Sequence, residues 1–136
     1  MSNILLLEDV HKQVSSLIHE LCANIYGSNS DNNNNTGSLC KECVFRHVTN
    51  FRQEILELRY QMMQENDDEE IAVNFCEDVW SSFALLDADV LGNADDAYFV
   101  SRVNRCLARA NTFLVEFYEY VLTRQLQKEG WYHEYL

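Results

Sequence analysis

The chain has 136 residues, a formal net charge of −12 and an apolar share of 47%, the build of one globular domain large enough to bury a core. The excess of acid opposes direct nucleic-acid binding, because phosphate contacts need clustered Lys and Arg, and no run of about eighteen apolar residues offers a membrane span. The opening Met1–Leu7 meets Glu8 and Asp9 without a basic region or a small-residue cleavage site, so the five cysteines are read as thiols of an intracellular chain rather than a disulfide framework, and the Asn34-Asn35-Thr36 sequon carries no weight.

Val10, Val14, Leu17, Ile18, Leu21 and Ile25 recur at helical spacing and predict a first amphipathic helix over about residues 4 to 25. His19 and Cys22 project from its last turns. A loop over 27–37 follows, reading GSNSDNNNNTG, with the composition of a flexible surface insertion. Beyond it stand Cys40 and Cys43, so two ligand-type pairs, each with two residues between its members, flank a polar segment. Four such side chains are what a closed tetrahedral zinc site needs, and zinc suits mixed nitrogen and sulfur ligands. The expectation is one structural zinc held by His19, Cys22, Cys40 and Cys43, with His47 as the spare fourth ligand. Buried thiols on amphipathic helices are the plain alternative. A thioredoxin-like redox use of Cys40 and Cys43 is the weakest of these readings, because no βαβ pattern surrounds them.

The string Leu39-Cys40-Lys41-Glu42-Cys43-Val44-Phe45-Arg46-His47-Val48 resembles the RING-finger pattern in which a C-x-x-C enters the central helix. The resemblance covers about residues 17 to 52, with His19 in place of the usual first Cys. It implies the first of the two RING zinc sites. The second site lacks its ligands, since residues 23 to 39 hold no Cys or His and Cys76 and Cys106 stand alone. A half-RING or U-box-like remnant at the front of a short, acidic, helical chain is similar to the small RING-like proteins that baculoviruses need for nucleocapsid assembly. That resemblance implies capsid-protein partners, a place in the virion, and the host nucleus and cytoplasm as compartments. A RING-like E3 ubiquitin ligase is the enzymatic alternative, weakened by the missing second zinc loop, and a metal-free helical adaptor is the third.

From Ser38 as N-cap, a second helix is predicted to about Gln64. Its positions Val44, Val48, Phe51, Ile55, Leu58 and Met62 form an a/d seam that packs either within the chain or against a second copy. The acidic run over 65–70 reads as a solvated connection and lacks the spacing of an EF-hand loop. A third helix carries Ile71, Phe75, Val79, Phe83, Leu86 and Val90, with Cys76 and Trp80 beside them, before the turn chemistry of Gly92-Asn93. The fourth, over about 95 to 128, places Phe99, Val103, Cys106, Ala110, Phe113, Phe117 and Val121 on one stripe. Arg102, Arg105 and Arg109 share another face and are read as solvated or paired. The tail Gly130–Leu136 is aromatic and docks either on the bundle or on a partner.

The chain is therefore expected to be all-α, a single helical domain over 1–136 in the form of a bundle of about four helices, with a zinc-binding subregion over 17–52. No catalytic motif emerges: His19-Glu20 begins an H-E-x-x-H string, but Ala23 stands where the second His belongs. The functional expectation is a non-enzymatic protein-interaction or assembly module with protein partners, able to form homo-oligomers.

Overall fold

The computed structural model describes residues 3–30, 39–65 and 70–129. Among the described residues there is no strand; the elements are α1 (Asn3–Ser30), α2 (Lys41–Glu65), α3 (Glu70–Ser81), the single-turn α4 (Ala88–Leu91) and α5 (Asp96–Glu129). Four long helices thus form the expected bundle. α1 lies beside α2 and α5, and α3 also lies beside α2 and α5, so the helices close a ring in the order α1, α2, α3, α5. His11 meets Phe117 and Tyr118 while Tyr26 bonds Asn104, so α1 and α5 run antiparallel. Arg59 meets Glu77 and Arg52 meets Trp80, so α2 and α3 do the same.

The stripes read from the sequence face inward. Val10, Val14, Ile18, Leu21 and Ile25 of α1 and the whole α2 seam are each no more than 7% exposed. That seam is therefore spent inside the bundle, and each side chain so buried stabilises the fold by about 1.5–3 kcal/mol. Phe75 of α3 lies flat on Phe117 of α5 with centroids 4.1 Å apart, and Phe51 meets Phe83 edge-on at 5.2 Å.

Three boundaries differ from expectation. α1 runs through Gly27 to Ser30, beyond the predicted end at 25, held on its last turns by the Tyr26 hydroxyl donating to Asn104. Ser38 lies outside the described residues, and the residue that caps α2 is Cys40, whose carbonyl accepts from Val44 N at 2.9 Å. The third helix ends at Ser81 rather than continuing to Val90. Ser82 Oγ donates to Asp78 O at 2.9 Å, and Phe83 N, Ala84 N and Leu86 N each bond the carbonyl three residues back, so the helix tightens into turns. Phe83 and Leu86 remain in the core, but Ile71, at the other end of the predicted stripe, is exposed.

The remaining connection is built from aspartates, as the sequence implies. Asp87 caps α4 by accepting from Asp89 N at 2.9 Å, and Asp95 caps α5 by accepting from Tyr98 N at 2.8 Å. Gly92 is required between them, because a Cβ there would stand 2.5 Å from Ala88 O. The aromatic tail over 130–136 and most of the polar loop, residues 31–38, lie outside the described residues.

Candidate functional site

Two regions have the chemistry of a site: the cysteine corner where α2 begins, and the outer face of α5. At the corner, Cys40 occupies the N-cap position, with its Sγ accepting from Cys43 N at 3.3 Å. The Cys40 and Cys43 sulfurs are bonded to each other across Cα atoms 5.3 Å apart, inside the span that a disulfide accepts without moving the backbone. The expectation of free thiols therefore holds for Cys22, Cys76 and Cys106 and not for this pair. Cys40 is exposed and Cys43 half-buried. Lys41, between them, donates to Ala94 O, lies 3.9 Å from Asp96 and sits 5.7 Å above the Phe99 ring. Phe45 meets the same ring edge-on at 5.5 Å, so the start of α2 is locked against the α4–α5 junction.

The other expected zinc ligands are placed on α1. His19 is exposed, and Cys22 is half-buried against the core. Cys22 shares a flank of α1 with Tyr26, one turn on, whose hydroxyl bonds α5 and is pushed up in pKa by burial and by the neighbouring Cys22. The flank facing α2 is made instead by Leu17, Glu20, Leu21 and Asn24, opposite His47, Asn50, Phe51 and Glu54. His47, the spare ligand, thus lines a groove with Glu20 on the opposite helix and Glu54 two turns along its own. Among the described residues no three His, Cys, Asp or Glu side chains gather closely enough to hold an ion, and as placed these four do not converge on one point.

Along α5, Val115, Tyr118, Leu122 and Leu126 stand at spacings of three and four on the face turned away from the core, each 39% to 54% exposed. They follow a second apolar stripe in the sequence, about a third of a turn from the core-facing one, and only the core stripe stands out when the strongest period is sought. Tyr118 and Leu122 join Val121 and Gln125 in lining a shallow groove against Glu8, His11 and Lys12 of α1. Glu116 and Glu119 border the stripe. A smaller apolar set, Leu56, Tyr60 and Met63, lies on the outer face of α2.

The perturbed ionisable groups report packing. Burial pushes the Cys76 thiol up to about 12 and raises that of Cys106, so both behave as core residues. Burial lowers the Arg52 guanidinium, which lies 3.8 Å above the Trp80 ring and donates to Trp80 O. It also raises Asp78, against which Glu77 adds and Arg109 subtracts. On that face Arg102 leans on the Tyr98 ring at 5.9 Å, and Arg109 is near enough to Asp78 to lower it. No helix of the described residues is long and apolar enough to cross a membrane. Comparison with known proteins finds no matching family model, no similar curated protein and no similar solved structure.

Proposed function

We propose that this chain is a non-enzymatic protein-interaction module of the assembly type, and that it binds a basic amphipathic helix of a protein partner on the outer face of α5. The observation that carries the reading is the stripe Val115, Tyr118, Leu122 and Leu126, the longest run of exposed large apolar side chains at helical spacing among the described residues. Single exposed apolar residues are ordinary, but a run at helical spacing bordered by polar residues marks a contact surface. Tyr118 supplies an aromatic anchor at its centre. Glu8, Glu116 and Glu119 outnumber Lys12 around it, and on a chain of net charge −12 they favour a cationic partner and oppose a second copy of the same acidic surface. In its finer form the reading rests on the RING-like string alone: one zinc through His19, Cys22, Cys40 and Cys43, and a role in viral nucleocapsid assembly.

The test uses a synthetic helical peptide with Leu at i, i+4 and i+7 and Lys or Arg on its flanks. Fluorescence anisotropy is expected to show saturable binding, weakened at least tenfold by Val115→Asp with Leu126→Asp, while helical circular dichroism is unchanged. Equal binding by a scrambled peptide of the same charge would reduce the interaction to electrostatics and overturn the reading. A dimer in sedimentation that the same substitutions disperse would assign the face to a second copy.

A further inference from the structure

We propose that Cys40 and Cys43 form a reversible dithiol–disulfide couple that exchanges with a low-molecular-weight thiol, with Cys40 as the reacting sulfur. The inference is independent of the α5 docking face, and it stands against the zinc reading, which claims the same two sulfurs.

Several observations at the start of α2 carry it. The two sulfurs are bonded to each other, and the pair spans the first turn of a 25-residue helix. A helix N-terminus presents N–H groups that have no partner within the helix, and a sulfur at the N-cap lies against them. The Cys43 N–H is already aimed at the Cys40 sulfur at 3.3 Å. Cys40 is exposed while Cys43 is half-buried, so an incoming reagent reaches one sulfur first. The corner is also fixed from outside, by Lys41 on Ala94 and Asp96 and by Phe45 on Phe99. Of the three other thiols, Cys76 and Cys106 are buried in the core and Cys22 is half-buried on α1, with no second cysteine bonded to it.

The exchange balances with a thiol RSH as reductant. Its thiolate attacks Cys40 Sγ, the Cys40–Cys43 bond breaks, and the electron pair leaves on Cys43 Sγ, which takes up a proton. A second RSH, as its thiolate, attacks the mixed disulfide, forming RSSR and releasing Cys40 Sγ, which takes up the second proton. Two RSH are oxidised, the protein gains two electrons and two protons, and oxidation by RSSR runs the same steps in reverse.

The experiment takes the full chain, purified without added metal, through a series of reduced-to-oxidised glutathione ratios in the presence of a chelator. Samples are quenched in acid and alkylated, and the modified residues are mapped by mass spectrometry. The expected result is one two-thiol transition confined to Cys40 and Cys43, reversible from both directions, with Cys76 and Cys106 unmodified until the chain is unfolded. Cys43→Ser is expected to accumulate a glutathione mixed disulfide at Cys40 at least tenfold faster than Cys40→Ser does at Cys43. The wild-type titration stands even if either variant fails to fold. A pair that stays reduced, or stays oxidised, across the whole series overturns the proposal. So does a reduced chain that carries about one zinc and resists alkylation until the metal is chelated, an outcome that gives the pair to the metal and leaves the α5 reading untouched.

Discussion

His11 shows how one side chain can carry a pH dependence through packing alone. Its ring stacks on Phe117 and tilts against Tyr118 at 4.9 Å, and burial lowers its pKa from 6.5. The groups that face it are Glu8 and Lys12 on α1 and Tyr118 and Gln125 on α5. Because the folded imidazole gives up its proton more readily, the unfolded chain binds more protons in the interval between the lowered value and 6.5. This contribution is complete above 6.5 and is lost as the pH falls through that interval. Melting temperature is expected to drop on acidification through it, and His11→Gln is expected to flatten the slope; an unchanged slope would show that the ring is not held as described. The sequence does not disclose this pairing, since His11 and Tyr118 lie far apart in the chain. It does disclose Cys76 and Cys106, which fall on apolar stripes and are core residues in the structure. At Cys40 the sequence shows a ligand-type pair, and which partner its sulfur takes is decided by the local geometry of the helix start, which no spacing rule contains.

At the scale of the element, the end of α3 explains both what periodicity reveals and what it hides. Phe75, Val79, Phe83 and Leu86 keep helical spacing and all four are buried, so the apolar pattern is intact across a point where the helix has already stopped. Tight turns carry the last two inward just as a continued helix would. The local signal is Ser82, whose hydroxyl competes for the Asp78 carbonyl. A second device is not local at all: Arg52 of α2 donates to Trp80 O at 3.2 Å and lies over the Trp80 ring, holding the last turn of α3 against its neighbour. Arg52→Ala removes the ring contact and leaves that carbonyl with fewer donors. A loss of about 1–2 kcal/mol in urea unfolding is expected, with Arg52→Lys recovering only part of it because an ammonium cannot lie flat on the ring. Full recovery by Lys would mean that charge alone matters at this junction.

At the scale of the molecule, the helical periods and the aspartate-rich turn make the bundle legible, because each stripe must bury itself against another element. The stripes do not say which helix neighbours which, and they do not reveal the outer face of α5, which looks like ordinary surface until its four residues are seen side by side. The ring of helices has one further consequence, for the order in which the chain folds. Three of its seams, α1 with α2, α2 with α3 and α3 with α5, join long helices that are consecutive apart from the single turn of α4, whereas the α1–α5 seam joins the first long helix to the last. Loop-closure entropy makes local hairpins form early and distant contacts late. The α1–α5 seam is thus the latch of the barrel-stave arrangement, the last joint to close and the first to part. Native-state hydrogen exchange is expected to find backbone amides around Val10 and Val14 opening at lower free energy than those around Phe51 and Ile55, and equal protection at both places would mean that the bundle opens only as a whole.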